Sequence, residues 1–123
     1  MTGITAENWT SRFGADNSPF LSARRVAEEL GVTMTELAAL AGVARNTLTA
    51  KSGARKVDAA LSPVVRILAM AAEMTGGQDR AAIWFKHQPI PGWAGKTAYD
   101  LVRGGKADRV IAYLEAVRAG VYA

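Results

Sequence analysis

Cysteine is absent from this 123-residue chain, and histidine occurs once, at His87. The first absence excludes disulfides, thiol nucleophiles, Cys-ligated zinc and iron–sulfur clusters together, and suits a reducing cytoplasm. The second rules out a His-rich metal site and leaves a Ser or Thr nucleophile no choice of base. No glycine-rich phosphate loop follows a strand, and the acidic residues are scattered. Glu28, Glu29 and Asp100 fall on helix surfaces or in first turns, where solvation or capping accounts for them. An enzyme, a metal and a cofactor are therefore not expected.

Long hydrophobic runs are missing as well. The most apolar stretch, residues 63–72, is interrupted by Arg66 and falls far short of the roughly 20 residues that span a bilayer. The opening MTGITAENWTSRFGADNSP has neither a basic nor an apolar region of the kind that directs secretion, and reads as a polar tail. The expectation is a cytoplasmic protein without a membrane partner. Aromatics make up only 7% of the residues while hydrophobic residues make up 50%, a balance that favours helices over a β-sandwich. The net charge of +4 carries information only if the basic residues cluster.

What is present is helical periodicity with clear punctuation. Ser18-Pro19 offers a cap and a first-turn proline, and Phe20, Ala23, Val26, Ala27 and Leu30 follow at helical spacing up to Gly31. Thr33 and Glu36 form a capping box that starts the next helix, with Leu37, Ala38, Leu40 and Ala41 on its apolar side and Gly42 at its end. A third helix is expected from Arg45 to about Ser52, with Leu48 inward. Ser62-Pro63 predicts a helix start running to Thr75, with Val64, Ile67, Leu68 and Ala71 on the buried stripe and Gly76-Gly77 as the stop. A shorter helix covers Gln78 to His87. Pro89, Pro91, Gly92 and Gly95 then read as an ordered loop pinned by Trp93. Thr97 caps a short helix from Ala98 to Arg103, and Ala107, Val110, Ile111, Leu114, Val117 and Val121 mark the last one. The expected fold is all-α.

Two segments carry functional signals. In TMTELAALAGVARNTLTAK, residues 33–51, a capped helix, a small-residue face, a Gly turn and a polar second helix follow in register. Ala38, Ala41 and Gly42 permit the close crossing that so short a turn imposes. No acidic residue lies between Leu37 and Val57, whereas Arg45, Lys51, Arg55 and Lys56 do, so this region carries a local positive field suited to phosphates. Ala44 stands where Ser or Thr commonly caps, forfeiting on the order of 1 kcal/mol. The layout resembles the helix-turn-helix of Xre-type bacterial regulators, in which the second helix enters the major groove. The resemblance implies DNA contact through Arg45, Asn46, Thr47, Thr49, Lys51, Arg55 and Lys56.

The second segment spans residues 60–123. Trp84, the Pro/Gly loop, Gly95-Lys96-Thr97, Leu101, Gly105, Val110, Leu114 and the terminal Gly120-Val121-Tyr122-Ala123 resemble, in that order, the toxin-binding domain of Xre/MbcA/ParS antitoxins. Thr97-Ala98 replaces the Ser-Pro usual in that family, a change that keeps both cap and helix propensity. The resemblance implies a polar tail (1–17), a helix-turn-helix bundle (18–58) and a small helical toxin-binding domain (59–123). It also implies a RES-domain, NAD-depleting toxin as partner, its active-site cleft blocked by the C-terminal region. Toxin contacts are expected at Trp84, Lys96, Gly120, Val121, Tyr122 and Ala123. Operator DNA, a homodimer and a hetero-oligomer with the toxin complete the expected partners. The competing expectation is a stand-alone Xre-type transcription regulator whose C-terminal half dimerises or senses a ligand.

Overall fold

Why each helix starts and stops where it does is visible in the computed structural model, which describes residues 21–50 and 54–121. The expected tail, the Ser18-Pro19 cap and Phe20, together with Lys51, Ser52, Tyr122 and Ala123, lie outside the described residues. Among the described residues, seven helices run in chain order: α1 (Ala23–Leu30), α2 (Met34–Ala41), α3 (Arg45–Thr49), α4 (Ala54–Thr75), α5 (Gln78–His87), α6 (Ala98–Arg103) and α7 (Ala107–Arg118). No strand forms among the described residues, and an isolated antiparallel bridge joins Pro89 to Thr97. The all-α expectation holds. No described helix is long and apolar enough to cross a membrane.

One capping device is used twice. The Thr33 hydroxyl accepts from the Glu36 amide at 3.0 Å while the Glu36 carboxylate accepts from the Thr33 amide at 2.9 Å. Thr97 and Asp100 repeat the arrangement at the start of α6, at 3.1 and 3.0 Å. Each box satisfies two of the amides that a helix start leaves without partners. At the other end of α2, Gly42 adopts φ +74°, with its amide turned to Ala39 and the Val43 amide to Ala38. A Cβ there would meet nothing within 4 Å, so the left-handed backbone, and not lack of space, calls for glycine.

The helix expected to begin at Ser62-Pro63 begins at Ala54 instead, and Pro63 sits inside it. A proline there leaves the carbonyl four residues back without its partner, at a cost of about 3 kcal/mol. The cost is offset because α4 buries Val57, Leu61, Val64, Val65, Ile67 and Leu68, each contributing roughly 1.5–3 kcal/mol. The Ser62 hydroxyl meanwhile donates to the Asp58 carbonyl at 2.7 Å. The division expected between residues 58 and 59 consequently falls within a continuous helix. α3 is shorter than expected: Ala50 is already extended. Thr47 and Thr49 are β-branched and propagate a helix poorly, and the Thr49 hydroxyl turns back to the Asn46 carbonyl at 3.3 Å.

The core is a single apolar cluster reaching from Ala23 in α1 to Leu114 in α7, with a satellite of Ala71, Ala72 and Ala81 under Trp84. Phe85 is its largest fully buried side chain and meets Tyr99 edge-on, ring centroids 6.1 Å apart. No polar or charged side chain is buried among the described residues. α4 is the axis, with α5 and α7 packed along it and α6 bridging α5, α7 and α2. Lys86 of α5 spans the two halves: its ammonium lies 3.1 Å from the point where a Gly31 Cβ would stand, at the carbonyl end of α1, where a cation is favoured.

Candidate functional site

Since the interior is wholly apolar, partner recognition belongs to the surface. In the N-terminal half, α2 and α3 are joined by the Gly42 turn, and α3 holds its register through buried Leu48. Arg45, Asn46 and Thr49 are exposed and Thr47 is half-buried. Arg55 and Lys56 stand exposed on the first turn of α4. Six of the seven residues expected to meet DNA are thus described, and all but Thr47 are fully accessible. Ala44 is extended and provides no side-chain cap, as its chemistry dictates. Glu36, at the head of α2, is held below the ordinary glutamate range by hydrogen bonds from the Thr33 amide and then the Thr33 hydroxyl, with Lys86 adding a smaller attraction.

The expected toxin contacts do not converge on one cavity. Trp84 is half-buried against Ala71, Ala72 and Ala81, so much of its ring serves packing. Lys96 is exposed on the loop after Ile90. Its amide donates to the Trp93 carbonyl at 3.0 Å, and its carbonyl accepts from the Ile90 amide at 2.8 Å. That loop is unusually constrained: Ala94 holds φ +53° between Gly92 and Gly95, a conformation that costs a side-chain-bearing residue roughly 1–2 kcal/mol. Lys106 completes it by placing its ammonium 5.5 Å from the Trp93 ring centroid.

The end of α7 gives Gly120 a definite role. It adopts φ +84°, its amide donates to the Val117 carbonyl, and the Val121 amide donates to the Ala116 carbonyl at 2.9 Å. This is the paired closure in which the residue after the glycine commonly folds back onto the helix. Val32 and Val43, which follow Gly31 and Gly42 in the same pattern, do so and pack on the core. Val121 does not: it is 68% exposed, although it continues the apolar spacing of Val110, Leu114 and Val117. The turn at Gly120 breaks that spacing. Tyr122 and Ala123 lie outside the described residues.

Ile83 was not singled out from sequence, and it is the other large hydrophobic side chain left exposed among the described residues, at 60%. With Arg80, Trp84, His87 and Gln88 it lines a shallow hollow of about 250 Å³ on the outer side of α5. The available signal was its position: Ala81 and Phe85 point inward at an i, i+4 spacing, which turns residue 83 away from the core.

Comparison with known proteins bears on the second half most directly. Residues 70–120 match the family described as the antitoxin Xre/MbcA/ParS C-terminal toxin-binding domain. Among solved structures, a chain of the M. tuberculosis MbcT-MbcA toxin-antitoxin complex is similar in fold. The TM-score is 0.54 at 20% identity, over 83% of this chain and 95% of that one. No match appears among curated proteins. The sequence likeness to the Xre/MbcA/ParS antitoxins thus lies in the C-terminal part of the chain, residues 70–120.

Proposed function

We propose that the chain is an antitoxin that neutralises a RES-domain, NAD-depleting toxin by direct binding, its C-terminal region blocking the toxin's active site. The observation that carries the reading is the end of α7. The Gly120 turn closes the helix and leaves Val121 facing solvent at 68% exposure. In sequence, this apolar side chain is followed directly by an aromatic one, Tyr122. The likeness in fold to a chain of the MbcT-MbcA complex supports a protein toxin as partner, and the lack of cysteine suits a cytoplasmic setting.

In the same proposal α2 and α3 bind the operator and repress transcription, with Arg45, Asn46, Thr47 and Thr49 directed at base edges and Lys51, Arg55 and Lys56 at phosphates. A homodimer places two such helices about 34–36 Å apart on a palindromic site. Operator binding that weakens steeply with salt, and that is lost in Arg45→Glu, supports this part. Absence of binding at every ionic strength assigns the motif to packing alone.

The test of the central reading is cellular NAD and growth when the protein encoded beside this gene is expressed alone and then with the antitoxin. Collapse of NAD followed by rescue supports it, as does loss of rescue when residues 120–123 are removed. A harmless neighbour overturns it in favour of a stand-alone regulator.

A further inference from the structure

The toxin-binding domain extends over residues 70–120, and within it α5 carries a face that neither the core nor the C-terminal tail explains. Ile83 is 60% exposed at the centre of that face. Around it Arg80, Trp84, His87 and Gln88 line the hollow of about 250 Å³. The helix that carries this face and the end of α7 are both anchored on the C-terminal part of α4. Arg80 donates to the Thr75 carbonyl at the last residue of α4, and Arg118, the last residue of α7, donates to Glu73 two residues earlier. α5 and the end of α7 therefore both rest on the final turns of α4, and the two exposed large hydrophobics, Ile83 and Val121, belong to these two elements.

We infer that the outer face of α5 is a second docking surface for the toxin, one that holds the antitoxin in place while the tail occupies the cleft. The inference rests on the toxin-binding reading above. The partner surface it fits is an apolar socket for Ile83 with an acceptor or carboxylate opposite the Arg80 guanidinium. An exposed aliphatic side chain beside a half-buried Trp and an Arg has the make-up of an interface centre. A second copy of this chain is a poorer occupant. α5 has ten residues and is about 15 Å long, so its face supplies far less than the roughly 800 Å² per partner that a stable interface buries. Joined to a contact already made by the tail, the same small face is sufficient, because the second contact forms at high effective concentration.

The experiment compares the full-length chain with its Ile83→Asp and Ile83→Ala variants. Binding to the purified protein encoded beside this gene is measured by calorimetry, the mass of each antitoxin alone by sedimentation, and the fold by circular dichroism. The expected result is a Kd raised about tenfold or more in Ile83→Asp and less in Ile83→Ala, with helicity and mass unchanged. Equal Kd values in all three proteins overturn the inference while leaving the toxin reading intact. A changed mass with unchanged toxin affinity overturns it too, and assigns the face to a second copy. Failure of the wild-type chain to bind overturns both readings together.

Discussion

Arg118, the last residue of α7, donates to the Glu73 carboxylate in the final turns of α4 at 2.7 Å. With Arg66 and Glu115 at 3.4 Å, it forms one of two ion pairs linking these helices. Both partners are substantially exposed, so the pair sets the lie of the helix end more than it stabilises the fold. Arg118→Ala is expected to lower the unfolding free energy by no more than about 1 kcal/mol. The difference should shrink in high salt; urea titrations at two ionic strengths measure both.

Gly120 separates the role of the tail from that of the core. Valine at this position must adopt φ near +84°, at a cost of roughly 1–2 kcal/mol, and the terminal turn should open rather than hold it. Gly120→Val is expected to weaken toxin inhibition strongly while the midpoint of global unfolding hardly moves, because a terminal turn frays independently of the core. Inhibition and urea midpoint measured on the same preparation check this.

The capping box at the head of α2 makes a pH prediction. Glu36 is held below the ordinary glutamate range by its hydrogen bonds from Thr33. The folded value thus lies beneath the unfolded one. Its stabilisation is fully present above the unfolded value and is lost as pH falls through the folded one. Glu36→Gln keeps the geometry of the box but removes the titrating group. The variant is expected to show a shallower loss of stability below the carboxylate range, read from urea midpoints across an acid pH series.

Ala94 holds a left-handed backbone in the loop that carries Trp93 and Lys96. Ala94→Gly removes a strain of roughly 1–2 kcal/mol but adds chain entropy of about 0.5–1 kcal/mol to the unfolded state. A net gain of up to about 1 kcal/mol is expected. A loss of stability in thermal or urea unfolding contradicts the assignment of strain.

Helix starts and stops were legible wherever the signal is local. Thr33, Glu36 and Thr97 made the caps, and Gly31 and Gly42 made the ends, because both depend on hydrogen bonds within a few residues. The stripe of Val64, Ile67, Leu68 and Ala71 was legible because burial repeats at the helical period. The surface of α3 followed from the same logic once Leu48 was directed inward. The start of α4 was not legible: Ser62-Pro63 is a strong local boundary signal, and it is outweighed by apolar contacts to helices distant in sequence. Val121 and Ile83 show the same limit at the candidate site. Val121 continues the helical spacing of α7, which cannot show that it is uncovered, and the exposure of Ile83 was signalled only by the inward spacing of Ala81 and Phe85.

By itself, then, the chain's sequence determined an all-helical protein, its turn glycines and capping boxes, and a short polar helix beside a basic segment. All of these rest on interactions within one or two helical turns. The tertiary structure decided which apolar side chains remain for a partner. Exposure is a property of what packs opposite a residue, and only the assembled α4, α5 and α7 leave Val121 and Ile83 uncovered.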